Sequence, residues 1–159
     1  MQVVVSLMVI AVVASEATAF QARDAGTGTS RISACSLLPR ELVEKVMTGN
    51  KEILKFVKPA EEPIGAKGSY CEYAGIGLQI NPFARPDDTR KSLTKEWQPV
   101  SGVGDAAYFR NNRDTFAELA VWTGAHHFTI QLGVPVGGTA EAIKPNAITL
   151  ANAIIPKLR

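Results

Sequence analysis

The first feature to constrain this chain is a short apolar run near its amino-terminal end. Residues 3–14 read VVVSLMVIAVVA, and Glu16 ends the run soon afterwards. A bilayer-spanning helix needs about 20 apolar residues, so this run is too short to be one. Ala17-Thr18-Ala19 follows it, and a short apolar core before an A-x-A site is what signal peptidase removes. Cleavage is expected after Ala19, giving a signal peptide over residues 1–19. Only Met1 and Gln2 precede the run, so its positive end is either the free amino terminus or lies upstream. The competing reading is a buried N-terminal strand or helix. Residues 20–34 then read as a flexible leader, since QARDAGTGTS at 21–30 is small, polar and without periodicity.

What remains, residues 35–159, suits one domain. The whole chain is 46% hydrophobic and 20% charged, with 17 Lys+Arg against 15 Asp+Glu. That balance excludes a disordered tail, a collagen-like repeat and a strongly basic nucleic-acid binder. Removing residues 1–19 takes away Glu16 and no base, moving the net charge from +2 to +3. So mild a charge argues for no particular partner.

The chain has two cysteines, Cys35 and Cys71. Behind an export signal, an even count reads as a disulfide. Closing a loop of this length stabilises a fold by about 4 kcal/mol in the chain-entropy account. The bond would tie the start of the first helix to the first clear strand. Zinc is a poor alternative, because two isolated cysteines lack the C-x-x-C spacing. Ile32-Ser33-Ala34-Cys35 also has the letters of a lipobox, but a polar stretch separates it from the apolar run, and lipidation would leave Cys71 unpaired.

Hydrophobic spacing sets out the elements. Apolar residues at 38, 42, 43, 46 and 47 predict a helix, with Pro39 at its first position and Gly49 at its end. KEILKFVK at 51–58 fits a short helix or a strand, and residues 59–68, rich in Pro and Gly, read as a loop. Alternation predicts strands at 69–74 and 77–81, joined around Gly75-Ile76-Gly77. Asp87-Asp88 can cap a helix through Arg90, Leu93 and Trp97. Three more strands are expected at 106–110, 115–123 and 127–134. A terminal helix starts at Thr139 or Lys144, with Ile148, Ala151, Ile154, Ile155 and Leu158 facing inward. Pro145 is expected in its first turn, and Pro156 should kink or end the last. The order α-β-β-α-β-β-β-α gives an α+β fold, a mainly antiparallel sheet of about five strands with helices on one face.

At Cys35-Ser36-Leu37-Leu38-Pro39, Cys71-Glu72-Tyr73 and Val103-Gly104-Asp105-Ala106-Ala107-Tyr108-Phe109, the chain resembles a family of secreted bacterial α+β domains of unknown function. These are known chiefly as small lipoproteins of actinobacteria. The resemblance implies an exported domain with a helix-covered antiparallel sheet and a disulfide. It supplies no catalytic residue.

Three motifs have chemical readings that the surrounding residues weaken. Gly102-Val103-Gly104-Asp105-Ala106-Ala107 fits the letters of a dinucleotide fingerprint, which works only where a strand turns into a helix. Strand-like residues follow here, so Gly102, Gly104 and Asp105 read as a turn. Ser92-Leu93-Thr94-Lys95 matches S-x-x-K, yet the chain has no S-D-N or K-T-G partner. His126 and His127 are adjacent, and neighbouring strand residues point to opposite faces, so they cannot readily share a metal ion.

On strand 115–123, Phe116, Glu118, Ala120 and Trp122 share one face, and Ala117, Leu119 and Val121 the other. If helices cover only the second, the first leaves an apolar patch, with Phe116, Trp122 and Trp97 as a binding surface. The expectation is therefore a periplasmic or secreted, non-catalytic binding module, acting through that face or through a groove beside the terminal helix. Its partner would be a protein or a small apolar ligand. No cofactor, metal, nucleic acid or stable membrane insertion after signal cleavage is implied. The alternatives are an envelope structural or assembly protein and, below it, an enzyme of unrecognised type.

Overall fold

The computed structural model describes residues 31–47, 49, 51–81, 93, 95–112 and 115–159. The expected signal peptide, most of the leader and the body of the helix expected from Asp87 lie outside the described residues. The chain opens with helices α1 (Ala34–Leu37) and α2 (Arg40–Val46) and a 3-10 helix at Lys51–Lys55. Strands β1 (Ala60–Ile64), β2 (Gly68–Tyr73), β3 (Ile76–Asn81), β4 (Gln98–Val100), β5 (Ala106–Asn112), β6 (Phe116–Thr123) and β7 (His126–Gly133) follow. Helix α3 (Ala140–Ile154) and a 3-10 turn at Ile155–Lys157 close the chain.

The fold is α+β, and its sheet is antiparallel, in the order β1-β2-β3-β7-β6-β5-β4. Seven strands stand where about five were expected. Both additions contain proline, Pro63 in β1 and Pro99 in β4, and both are edge strands. Proline cannot donate to a ladder, so a strand containing it is tolerated at an edge. There it also blocks further pairing with another chain. At one end of the sheet the edge strand lies within residues 59–68, which read as loop.

The first helix also departs from expectation. Pro39 is the N-cap of α2 rather than its first residue, and a separate short helix precedes it. Ser33 caps α1 by accepting from the Ser36 amide at 3.2 Å. The Ala34 amide donates to Ser69 Oγ at 2.9 Å, while that hydroxyl donates to the Ile32 carbonyl at 2.7 Å. Residues 31–34, placed in the leader by composition, are thus bonded to the start of β2. The disulfide joins Cys35 of α1 to Cys71 of β2, with a Cα–Cα distance of 5.0 Å.

Helix α3 begins at Thr139, whose hydroxyl accepts from the Ala142 amide at 3.2 Å. Ala151, Ile154, Ile155 and Leu158 face inward as expected, the buried face extends further toward the N-terminus through Leu150, Ala147 and Ile143, and Ile148 is only half-buried. Pro145 sits inside the helix, not in its first turn, at an exposed position. Past Ile154 the backbone tightens around Pro156.

The core lies between the sheet and the helices. Cross-strand register lines up Cys71, Leu78, Ile130, Leu119 and Phe109 in one row across five strands, and all five are buried. Helix α3 packs over β5, β6 and β7, α1 over β2 and β3, and α2 against α3.

Candidate functional site

The opposite face of the sheet carries the residues expected to bind. Trp122 does not contribute to an open patch there. It is buried, stacked on His127 across the β6–β7 register with ring centroids 4.4 Å apart, and met edge-on by Tyr108 at 5.7 Å. Trp97 lies under the Arg110 guanidinium at 4.5 Å. Arg110 pairs with Glu118, which also accepts from Gln131 Nε2 at 2.9 Å. Phe116 alone of the three stays open, at 47% exposure. It sits six residues from Trp122 on one strand, a separation of about 20 Å. The three aromatics therefore do not form one surface, because polar side chains from neighbouring strands fill the space between them.

His127 is fixed by a chain of amides. Gln79 Nε2 donates to Asn81 Oδ1 at 2.6 Å, which leaves the Asn81 amide nitrogen to donate to His127 Nδ1 at 3.2 Å. The ring proton is thereby assigned to Nε2, which is buried without an acceptor, as is Trp122 Nε1. Burial holds the His127 pKa down, from 6.5 to about 4. This is a neutral core histidine, half-exposed His126 beside it points to the other side, and no cluster of three or more metal-ligating side chains exists among the described residues.

The glycine motif is a turn. Gly104 has φ +58°, and a Cβ there would stand 2.5 Å from the Trp122 carbonyl oxygen. Asp105 donates its amide to that same carbonyl at 2.8 Å and accepts from the Gly124 amide at 2.6 Å. Strand β5 begins directly afterwards, so no helix N-terminus is presented to a phosphate. Of the S-x-x-K motif, Ser92 lies outside the described residues and Lys95 sits exposed in a turn.

A concave site forms instead at the end of the sheet, where three chain segments turn together. Helix α2 stops at Val46, and Met47 leaves it in extended conformation. Strands β2 and β3 are joined through Ala74 and Gly75, at φ +53° and +80°. This is the two-residue turn that matches sheet twist. The tight turn thus lies one residue earlier than expected, and Ile76 and Gly77 belong to β3. Gly133 ends β7 and donates to the Gly75 carbonyl at 3.1 Å, which steers Val134-Pro135 away toward α3. Between these segments lies a groove of about 310 Å³. Its lining includes the apolar side chains of Met47, Ile76, Leu132 and Ile143 and the polar side chain of Asn146.

Ala74 adopts a left-handed conformation that costs an L-residue about 1 kcal/mol, and it forms part of the rim of this groove. Periodicity read Met47 as part of the first helix and Ala74 and Val134 as strand ends, left Ile143 unremarked, and gathered none of the four into a site. The available signal was apolar residues set immediately beside Gly and Pro turns, where no core face is being built. No family model, curated protein or solved structure matches the chain, so nothing in these comparisons points to a catalytic family.

Proposed function

We propose that this chain is an exported, non-catalytic binding module whose site is the groove between α2, the β2–β3 turn and α3. The observation that carries the reading is the groove's chemistry: a largely apolar concavity of about 310 Å³ with an amide side chain on its lining. Binding sites for small molecules are mostly apolar, with a few polar groups that fix orientation. The occupant this favours is an apolar small molecule, or an apolar side chain of a partner protein, carrying one group able to bond Asn146.

Export is supported by the Cys35–Cys71 disulfide, which suits an oxidising compartment. The apolar run at 3–14 with its A-x-A site is compatible with it. Among the described residues, no helix is long and apolar enough to cross a membrane.

Native mass spectrometry of the purified full chain tests this reading, together with titration of an apolar fluorescent reporter such as anilinonaphthalene sulfonate. A retained small molecule or saturable reporter binding is expected, and Met47→Arg should abolish either one while leaving the circular dichroism unchanged. Absence of both in the unaltered protein, or binding that Met47→Arg leaves intact, overturns the proposal.

A further inference from the structure

The 3-10 turn at Lys51–Lys55 and the residues after it present apolar side chains in two directions. With three residues per turn, positions i and i+3 share an edge. Leu54 and Val57 share the inward edge, where Leu54 is buried and Val57 packs against the core. Ile53 and Phe56 share the next edge and face outward, at 46% and 85% exposure. The Phe56 and Val57 amides both bond the Ile53 carbonyl, at 2.9 and 3.0 Å, so the backbone holds that edge in place. The core makes little use of Phe56, and a phenylalanine in water is unfavourable by its apolar area.

The charges around this edge have one dominant sign. Residues 45–58 contain four lysines and one acid, Glu52. Lys55 pairs with Glu52, whereas Lys45, Lys51 and Lys58 are exposed and form no ion pair among the described residues. The next acid along the chain, Glu61, is engaged by the Ser33 hydroxyl at 2.7 Å.

We propose that this edge docks reversibly on the surface of an anionic lipid bilayer. Phe56 and Ile53 enter at the level of the headgroups, and Lys45, Lys51 and Lys58 meet the phosphates. Apolar side chains flanked by lysines on an exposed turn suit a surface that is negative outside and apolar beneath. A second copy of the chain suits it less well, since a two-fold pairing of this edge would set lysines against lysines. The inference goes beyond the groove reading and stands whether or not the groove holds a ligand.

Flotation of the full chain with vesicles tests it. Binding is expected to vesicles of phosphatidylcholine mixed with phosphatidylglycerol, and not to phosphatidylcholine alone. Phe56→Ala should lower the partition about tenfold, and Lys51→Glu or Lys58→Glu at least about fivefold each. All three side chains are exposed, so thermal unfolding should be unaltered, and added salt should weaken the binding. Equal binding to both vesicles, binding to neither, or a Phe56→Ala protein that floats like the unaltered one overturns the proposal. So does Phe56-dependent self-association or capture of an acidic peptide without vesicle binding. Reporter binding in the Met47 groove can survive every one of these failures, which keeps the two readings separable.

Discussion

The two faces of the sheet are filled by different chemistry. The helix side is dry: Cys71, Leu78, Ile130, Leu119 and Phe109 run across five strands with no polar side chain in the row. Two rows on the other side join Gln131, Glu118 and Arg110, and Asn81, His127 and Trp122. Burial there depends on side chains that satisfy one another, and Trp122 Nε1 and His127 Nε2 are left buried without a partner. A dry face is stabilised by volume and contact. A polar face is stabilised by pairing, and so depends on pH and on partner geometry.

Leu119→Ala should break the dry face and cost about 4 kcal/mol in chemical denaturation, because Leu119 is fully buried beneath α3. A loss below about 1 kcal/mol would mean that α3 does not seal that row. The next largest effect comes from acid on the polar face. The His127 pKa is lowered by burial from 6.5 to about 4, so the unfolded chain takes up this proton first as pH falls. Its contribution is complete above about pH 6.5 and declines as the pH drops toward 4, by up to about 3 kcal/mol. His127→Phe, which keeps the stack on Trp122 and removes the unpaired Nε2, should flatten that part of the pH–stability curve. An unchanged slope would refute the assignment. The smallest effect is expected at Phe116→Ala, where 47% exposure limits the loss to about 1 kcal/mol. A much larger value would show that Phe116 is covered.

Alternation made the division between the two faces legible. Ala117, Leu119 and Val121 are the helix-facing residues of β6, as a period of two requires. It could not show what fills the far side, because Glu118, Arg110 and Gln131 come from three strands and meet only through register. Proline composition marked residues 59–68 as irregular, yet β1 lies within them. An edge strand needs only one bonded side, so the residue that forbids a central strand is compatible with a terminal one. KEILKFVK carried both of its apolar edges in the letters, and only the three-residue period of the turn decided which of them meets the core. The groove was less legible, since its lining comes from the ends of α2, β3, β7 and α3.

Local regularities were therefore sufficient for the α+β class, the alternating faces of the central strands, the glycine turn before β5 and the cysteine pair. Each depends on neighbours in the chain or, for the cysteines, on their number and the expected compartment. Tertiary structure alone decided that Trp122 is enclosed rather than presented, that Pro63 and Pro99 end the sheet, and that a concave site opens beside Met47. Those outcomes depend on which distant residues arrive at the same place, and pairing across a sheet is set by register and long-range packing rather than by local pattern.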